Sequence, residues 1–438
     1  MYLRSIEIRQ LRALKHIELD FIYPERLRDT AFADQAEWPP RLNNVNLLIG
    51  GNGSGKSTVL DAIALAILAP IITQSGYVPY SLVRRTPEGI EPAASVEADL
   101  ILHVQDSAAP QVGNNRIRSE TKIERRVDTE ILRGSDESNP IWDGMYSESS
   151  PSFLLLGYGA TRRVEAVSAT DLASRRKQRL PRFERVASLF EDHFALMPIA
   201  TWLPEMQNSN HGRYKQVMNI LNGLLPNGMK LTDSLEGGEY VFEHRKTRFP
   251  YSGLSDGYRA YLGWIGDMLY HIAMTCPSGK KLVDTKGVVL IDEIDLHIHP
   301  DWQRTMIPKI ARKLPNLQFV LTSHSPLVVG SLERCNIYQF KWGRGSQPSA
   351  RRPAEEVYGL TADQILRSDV FGLESTRDPE FRKGLLELSS QASAGSDGAA
   401  VELMHKLAHG NGMVAEARAD RVPEWLGQFG ADRSSEIG

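Results

Sequence analysis

The sequence predicts an α/β fold with a mostly parallel central sheet, on three observations. Residues 45–49, 287–291 and 317–321 are compact apolar runs, each followed at once by polar residues, the pattern of buried strands in a parallel sheet. The first run leads through a glycine-rich loop into a long apolar stretch that reads as a helix. Residues 1–23 alternate instead, with Leu3, Ile6 and Ile8, then Ile17, Leu19 and Phe21, around a turn near residues 11–15. That alternation adds N-terminal antiparallel strands to the parallel core.

Taken in order, residues 24–42 form a polar, Pro-containing loop, and the strand at 45–49 runs into the glycines. A helix is predicted from Lys56 to about Leu68, stopped by Pro70. Residues 95–129 read as two strands, with Val96, Ala98, Leu100, Leu102 and Val104 alternating and 107–115 as the loop between them. Residues 153–157 read as another buried strand. From 165 to 231 the pattern turns helical and charged, with no turn-rich strand signal. Beyond about residue 345 the chain becomes polar, and the Ser-, Gly- and Ala-rich residues 389–398 read as flexible. No repeat stands out at periods of twenty to fifty residues. The expected division is an N-terminal lobe at 1–164, a helical insertion at 165–251, a C-terminal lobe at 252–345 and a helical, partly flexible tail at 346–438.

Composition narrows the function classes. The 438 residues are 41% hydrophobic and 24% charged, enough for two or three domains with a large core. A formal net charge of −3 excludes a basic nucleic-acid coat and leaves any such contact to a local patch. Two cysteines, Cys276 and Cys335, are too few for a disulfide framework and fit a reducing compartment. Arg4, Glu7 and Arg9 interrupt the N-terminal segment, which predicts no secretory signal. The most apolar stretch, 59–72, contains Asp61 and Pro70 and reads as too short to cross a bilayer. A cytoplasmic protein without a membrane partner is expected; a transporter motor would need a separate membrane subunit.

Four motifs carry chemistry. Gly50-Gly51-Asn52-Gly53-Ser54-Gly55-Lys56-Ser57 fits G-x-x-x-x-G-K-[ST] completely. Its glycines let successive N–H groups turn toward one oxyanion, Lys56 adds a charge for the outer phosphates, and the Ser57 hydroxyl can ligate Mg²⁺. The following helix adds its positive dipole end. The candidate nucleotide-binding residues are therefore Gly50, Asn52, Gly53, Ser54, Gly55, Lys56, Ser57 and Thr58. A glycine-rich turn with an incidental lysine is the bland alternative, and the strand-loop-helix context argues against it. Asp292 and Glu293 follow the apolar run 287–291, at the strand end where open parallel sheets bind ligands. There Asp292 can hold Mg²⁺ and Glu293 can orient and deprotonate a water, although apolar-Asp-Glu by itself also describes a solvated strand end. Ser255 and Gly257, in Ser252-Gly-Leu-Ser255-Asp256-Gly257-Tyr258-Arg259, open a helix and can form a second anion site; a plain serine cap is the alternative. His324, in Thr322-Ser-His324-Ser-Pro326, follows the last apolar run, where an imidazole can sense a γ-phosphate and the attacking water.

The order of these motifs resembles the ABC-type ATPase head shared by SMC, RecF and OLD-family proteins. More closely, the chain is similar to a bacterial branch of RecF-like AAA-type ATPases described as predicted ATP-binding proteins involved in virulence, and to the ATPases of Septu antiphage systems and some retrons. The residues that carry this likeness are Gly157-Tyr-Gly-Ala-Thr-Arg162, Leu254-Ser-Asp-Gly-Tyr258, Asp292-Glu-Ile-Asp-Leu-His297-Ile-His299-Pro300-Asp-Trp302-Gln303 and Leu360-Thr-Ala-Asp-Gln-Ile-Leu366, followed by Phe371-Gly-Leu. Coverage runs to about residue 380. The resemblance implies an Mg²⁺-dependent ATP hydrolase of P-loop fold with a helical lid. Two heads would dimerise, or assemble further, around two ATP molecules. Ser255 and Gly257 of one chain would meet the γ-phosphate held by Lys56 and Ser57 of the other, with residues 295–297 crossing the interface. Glu293 would be the base, Asp292 the metal support and His324 the sensor.

Departures from the family pattern are equally plain. No Q-loop glutamine can be placed as second Mg²⁺ ligand; residues 158–163 stand there and offer Thr161 and two arginines. Asp256 replaces the glycine of transporter signatures. The insertion is under a hundred residues and lacks sustained heptads, so it is no SMC tether. The C-terminal residues carry no acidic cluster of a TOPRIM nuclease.

Weaker signals leave alternatives open. Arg175, Arg176, Lys177, Arg179, Arg182 and Arg185 form a basic stretch, either a nucleic-acid contact or a solvated face balanced by Glu184 and Glu191. His297 and His299 could suggest a metal, but their place between the chain's motifs favours interface packing. Trp302, Met306, Ile307 and Ile310 form a helical stripe read as core, and Arg12 and Lys15 could stack on an adenine. Three functional readings follow: the ATPase subunit of an antiphage system with a separately encoded nuclease, a RecF-like DNA-repair ATPase, and a scaffold in which ATP only joins the subunits.

Overall fold

The computed structural model describes residues 1–26, 38–103, 106, 115–134, 151–162, 180–192, 194–226, 228–343 and 347–409. They fall into two bodies divided after Gly372.

The first body is built on a six-stranded sheet in the order β16-β15-β3-β14-β13-β9. Its members are β3 (Val45–Gly50), β9 (Leu155–Tyr158), β13 (Gly287–Ile291), β14 (Leu317–Ser323), β15 (Ile337–Trp342) and β16 (Pro348–Arg351). All pair in parallel except β16, which closes one edge antiparallel to β15. Strands β13 and β14 are buried at every residue, as their largely apolar runs suit. A second, antiparallel sheet has the order β2-β1-β6-β7-β8, from β1 (Tyr2–Leu11), β2 (Leu14–Asp20), β6 (Ala93–Ile101), β7 (Arg116–Arg126) and β8 (Thr129–Arg133). The two-residue strands β4 (Arg85–Thr86) and β5 (Gly89–Ile90) form a small hairpin before β6.

Helix α1 (Lys56–Gln74) lies between these two sheets and is buried nearly all round. It is apolar on every face because it has no solvent side. It does not stop before Pro70. The backbone kinks at Leu68 (φ −116°, ψ 17°) and the helix resumes to Gln74. The reason is external. Pro70 has no N–H for the carbonyl of Ala66, and that carbonyl instead accepts the Ser119 hydroxyl from β7, while Thr121 donates to the Leu65 carbonyl at 3.0 Å. Ser119→Ala combined with Thr121→Val is therefore expected to cost about 2 to 4 kcal/mol, measured as a lower midpoint of thermal or urea unfolding. The extended α1 is long and apolar enough to cross a membrane, longer than residues 59–72 suggest, but its apolar side chains form core here.

Between the sheets, side-chain amides stand in for ladder bonds. Gln318 on β14 accepts from the Leu3 N–H and donates to the Leu3 carbonyl, both at 2.7 Å. Asn46 on β3 makes the same double contact with Ile22 at 2.7 Å. Buried amides are tolerated only when satisfied, so these two residues fix how the sheets dock.

The opposite face of the central sheet is covered by α4 (Ile199–Ser209), α5 (His211–Leu224), α6 (Asp256–Thr275) and α8 (Met306–Lys313). The stripe of Met306, Ile307 and Ile310 is buried in this core, with Trp302 packed against it. Short helices α2 (Pro181–Glu184) and α3 (Ala187–Phe190) precede them. The expected helical insertion is corrected in its second half. Residues 229–250 form a three-stranded antiparallel sheet of β10 (Met229–Glu236), β11 (Glu239–His244) and β12 (Thr247–Pro250). Its turns take positive φ at Gly237, Gly238, Arg245 and Lys246, the tight hairpin geometry, and Leu231, Tyr240 and Phe242 pack into the same core as the helices.

The remaining short helices are α7 (Pro300–Gln303), α9 (Pro326–Val329) and α10 (Ala362–Arg367). Residues 347–372 belong to this body and not to a tail. Gln339 of β15 donates to the carbonyls of Asp369 and Val370, the latter at 2.7 Å. The second body contains α11 (Pro379–Ser393) and α12 (Asp397–His409), packed as a helical hairpin. Residues 389–393, expected to be flexible, form the last turns of α11, and Gly395 (φ 94°) makes the bend. A helix begun by an Asp378 cap and a first-position proline carries its serines along.

Candidate nucleotide site

Four neighbouring parallel strands, β3, β14, β13 and β9, end on one side of the sheet, and each is followed by polar residues. Ile49 pairs with Ser323, Leu321 with Ile291, and Ile291 with Tyr158. The phosphate loop, His324, Asp292 with Glu293, and Arg162 therefore leave the sheet along one edge.

Gly50 to Gly55 form the loop after β3. Gly55 takes φ 95° as the cap of α1, and a Cβ there would stand 2.4 Å from Leu14 Cδ2. At Gly50 a Cβ would stand 2.5 Å from the Phe340 carbonyl oxygen. Both positions therefore demand glycine by space as well as dihedral. Gly51, Asn52, Gly53 and Ser57 are exposed, while Ser54, Lys56 and Thr58 are buried. The Lys56 ammonium donates to the carbonyls of Gly50 at 2.9 Å and Gly51 at 3.0 Å. Burial lowers its pKa, and the charges of Asp292, Glu293 and Asp295 oppose that shift. His324 is also shifted down, by burial first and then by Lys56, against the same three acids. Lys56, the acids and the imidazole thus feel one another's charge at the ends of adjacent strands.

Asp292 and Glu293 are held by their neighbours. Thr322 Oγ1 donates to Asp292 Oδ1 at 2.5 Å and accepts the Glu293 N–H at 2.7 Å. Arg162 donates to the carbonyls of Asp292 at 2.6 Å and Glu293 at 2.7 Å. Burial brings the Arg162 pKa down to about 10, with Asp292, Glu293 and Asp295 acting against it. Glu293 has φ 46°, a left-handed setting that costs a non-glycine residue about 1 kcal/mol or more.

Ser255 and Gly257 stand elsewhere. They line an open cavity of 640 Å³ with Tyr258, His297, His299, Trp302 and others, none from the phosphate loop. Ser255 precedes α6 but makes no side-chain cap, so the simple capping role does not hold. A Cβ on Gly257 would lie 2.3 Å from the His297 carbonyl. His299 accepts the Asp301 N–H at 3.3 Å as the cap of α7, and among the described residues no group of three His, Cys, Asp or Glu could hold a metal ion.

The reading of the basic stretch is corrected in part. Arg182 and Arg185 are buried, and Arg182 donates to the carbonyls of Ser152 and Phe153. These two belong to neither a nucleic-acid face nor a solvated one; Arg175, Arg176, Lys177 and Arg179 lie outside the described residues. Arg12 is paired with Asp61 of α1 at 2.5 Å. Sequence reading missed three contributors. Thr322 hides inside a strand. Tyr158 donates to the buried Asp267 of α6 at 2.9 Å, tying the strand beside the acids to the helix that Ser255 opens. Gln303 donates to the Ile298 carbonyl at 2.9 Å and accepts from Ser325 at 2.7 Å.

A family profile described as "AAA domain, putative AbiEii toxin, Type IV TA system" matches residues 45–330, well over half of the chain. The chain belongs to this AAA family. Among the AAA chain's relatives, the Septu protein PtuA of Bacillus mycoides (strain KBAB4) is 22% identical over 378 residues, 86% of this chain and 45% of that protein. The Retron Ec83 probable ATPase of Escherichia coli is 30% identical over 165 residues, 37% of this chain and 30% of that protein. The chain thus spans less than half the length of these curated relatives. Among solved structures, an SMC head bound to the C-winged helix domain of ScpA is 14% identical with a TM-score of 0.48, covering 80% of the AAA chain and 98% of that one.

The AAA chain's residues suit a nucleoside triphosphate with Mg²⁺. The loop contains one buried hydroxyl, Ser54 Oγ, without a hydrogen-bond partner, and Asp295 Oδ1 is likewise buried and unpartnered. A bound ligand can complete the bonding of such groups. Ser57 and Asp292 are the hard oxygen donors that Mg²⁺ prefers.

Proposed function

We propose that the chain hydrolyses ATP between two heads and that turnover switches an effector. The observation that carries this reading is the convergence of Lys56, Asp292, Glu293 and His324 at the ends of adjacent parallel strands. Gly50 to Thr58 bind the phosphates, and Ser57 and Asp292 would hold Mg²⁺, which when bound screens the phosphate charge. Glu293 takes a proton from water as the water oxygen bonds the γ-phosphorus; the bond to the bridging oxygen breaks, giving ADP and phosphate. His324 sits beside Lys56 and the acids to orient that water. Ser255 and Gly257, facing a separate cavity, complete the site of a second copy.

The biological reading is an antiphage ATPase working with a separately encoded nuclease, supported by the Septu and retron names of its relatives. The same likeness favours the cytoplasm as its place of action. The test is phosphate release from ATP by the purified chain with and without Mg²⁺. Lys56→Ala is expected to weaken ATP binding about ten- to a hundredfold, the loss of a charged hydrogen-bond donor. ATP binding that ignores this change sinks the reading.

A further inference from the structure

In the turn that presents Glu293, the N–H groups of Asp292, Glu293 and Ile294 and the carbonyls of Asp292 and Glu293 are all partnered. The Asp292 N–H goes to the Tyr158 carbonyl at 2.8 Å and the Ile294 N–H to the Thr322 carbonyl at 3.0 Å. The Glu293 N–H goes to the Thr322 hydroxyl. The carbonyls of Asp292 and Glu293 both accept from the Arg162 guanidinium, and the Glu293 carbonyl also accepts the Leu296 N–H at 3.0 Å. One side of the turn is therefore held from the end of β9 and the other from β14. Glu293 lies between them in a left-handed backbone, a conformation that persists in a glutamate only where its surroundings over-determine it.

Arg162 suits this task by shape. A guanidinium presents parallel N–H donors in a rigid fork, and here the fork spans two successive carbonyls. A lysine at the same place has one ammonium and cannot span both with fixed geometry. Thr322 suits it by a different property: one hydroxyl accepts from the Glu293 N–H and donates to Asp292 Oδ1, so it links the backbone under one acid to the carboxylate of the other.

We propose that Arg162 and Thr322 are positioning residues that together hold the Glu293 backbone in its left-handed setting, and so aim its carboxylate at the attacking water. The aim at water rests on the ATPase reading above; the backbone clamp does not. Neither residue touches ATP in this account. Residues 158–163 stand where the resembling families place a glutamine ligand, and Arg162 among them acts here on the carbonyls of the acid pair.

The test has two readouts. The first is the crystal structure of Arg162→Met without nucleotide, expected to show Glu293 leaving positive φ; a Glu293 that keeps its left-handed φ with the guanidinium gone overturns the clamp, whatever the chain's activity. The second is steady-state ATP hydrolysis. Arg162→Met and Thr322→Val are each expected to lower kcat about a hundredfold, the scale of a small misplacement of a reacting group, with KM for ATP little changed. Thr322→Ser, which keeps the hydroxyl, is expected to retain most of the rate. Adding Glu293→Gln to Arg162→Met is expected to cost little more, because both act through one carboxylate. Full additivity, or a rise in KM in place of the fall in kcat, overturns the positioning role. Should Arg162→Met fail to fold, Arg162→Lys carries the same two readouts. A wild-type chain that hydrolyses no ATP refutes the ATPase reading and the aiming with it, and leaves the φ of Glu293 to decide the clamp.

Discussion

Glu293→Gln is expected to bind ATP as the unsubstituted chain does and to release phosphate about a hundred to ten thousand times more slowly, the usual worth of a positioned general base. The amide keeps the size of the side chain, and every contact that shapes this turn runs through backbone or through Asp292 and Thr322. The substitution thus removes the proposed base and leaves its seat intact. With ATP no longer consumed, a pair of heads joined by nucleotide is expected to accumulate. Size-exclusion chromatography with and without ATP, beside single-turnover hydrolysis, reads both effects. A scaffold that uses ATP only to join its subunits would show the same dimer in both forms and no loss of turnover, because it has none to lose.

Gly257→Ala tests the other half of the proposed composite site. Its new methyl would stand 2.3 Å from the His297 carbonyl oxygen, so either the start of α6 or the segment after the acids has to move. Overpacking of this kind costs about 1 to 3 kcal/mol. The larger effect is expected on catalysis. A shift of Ser255 by a fraction of an ångström is expected to lower turnover about a hundredfold, while ATP binding to the phosphate loop, which lines a different part of the chain, stays unchanged. Fluorescent-nucleotide titration separates binding from turnover. Equal loss of both would mean that the start of α6 supports the fold and nothing more.

The parts that the sequence made legible are those where local pattern and chemistry coincide. The runs before Gly50, Asp292 and His324 are apolar because their strands are buried on both faces, and the chemistry begins where each strand ends. What it hid depends on partners far along the chain. Nothing near Pro70 announces that Ser119 and Thr121 will donate to the Ala66 and Leu65 carbonyls beside the kink. Arg182 and Arg185 look like surface charge in a basic stretch, yet burial brings the Arg182 pKa down to about 9 and its donors go to backbone oxygens. The sheet at residues 229–250 did leave a trace. Gly237 and Gly238 mark its first hairpin, but Arg245 and Lys246 make the second with positive φ at residues that usually avoid it. Arg162 was visible as a residue without a role; its role lies in carbonyls, which a sequence does not display.

The strand order has a consequence for how the protein is made. Strand β3, which carries the phosphate loop, pairs with β14 and β15 and with no strand that precedes them. The antiparallel sheet, by contrast, is assembled from residues 2–133 alone. During synthesis that sheet can close early, while the nucleotide motif waits for residues 317–342 to leave the ribosome before it has neighbours. Long-range parallel pairing is also slow in itself, because loop-closure entropy must be overcome before the contacts form. A product that stops short of residue 317 contains every glycine of the loop and lacks both strands that pair with β3.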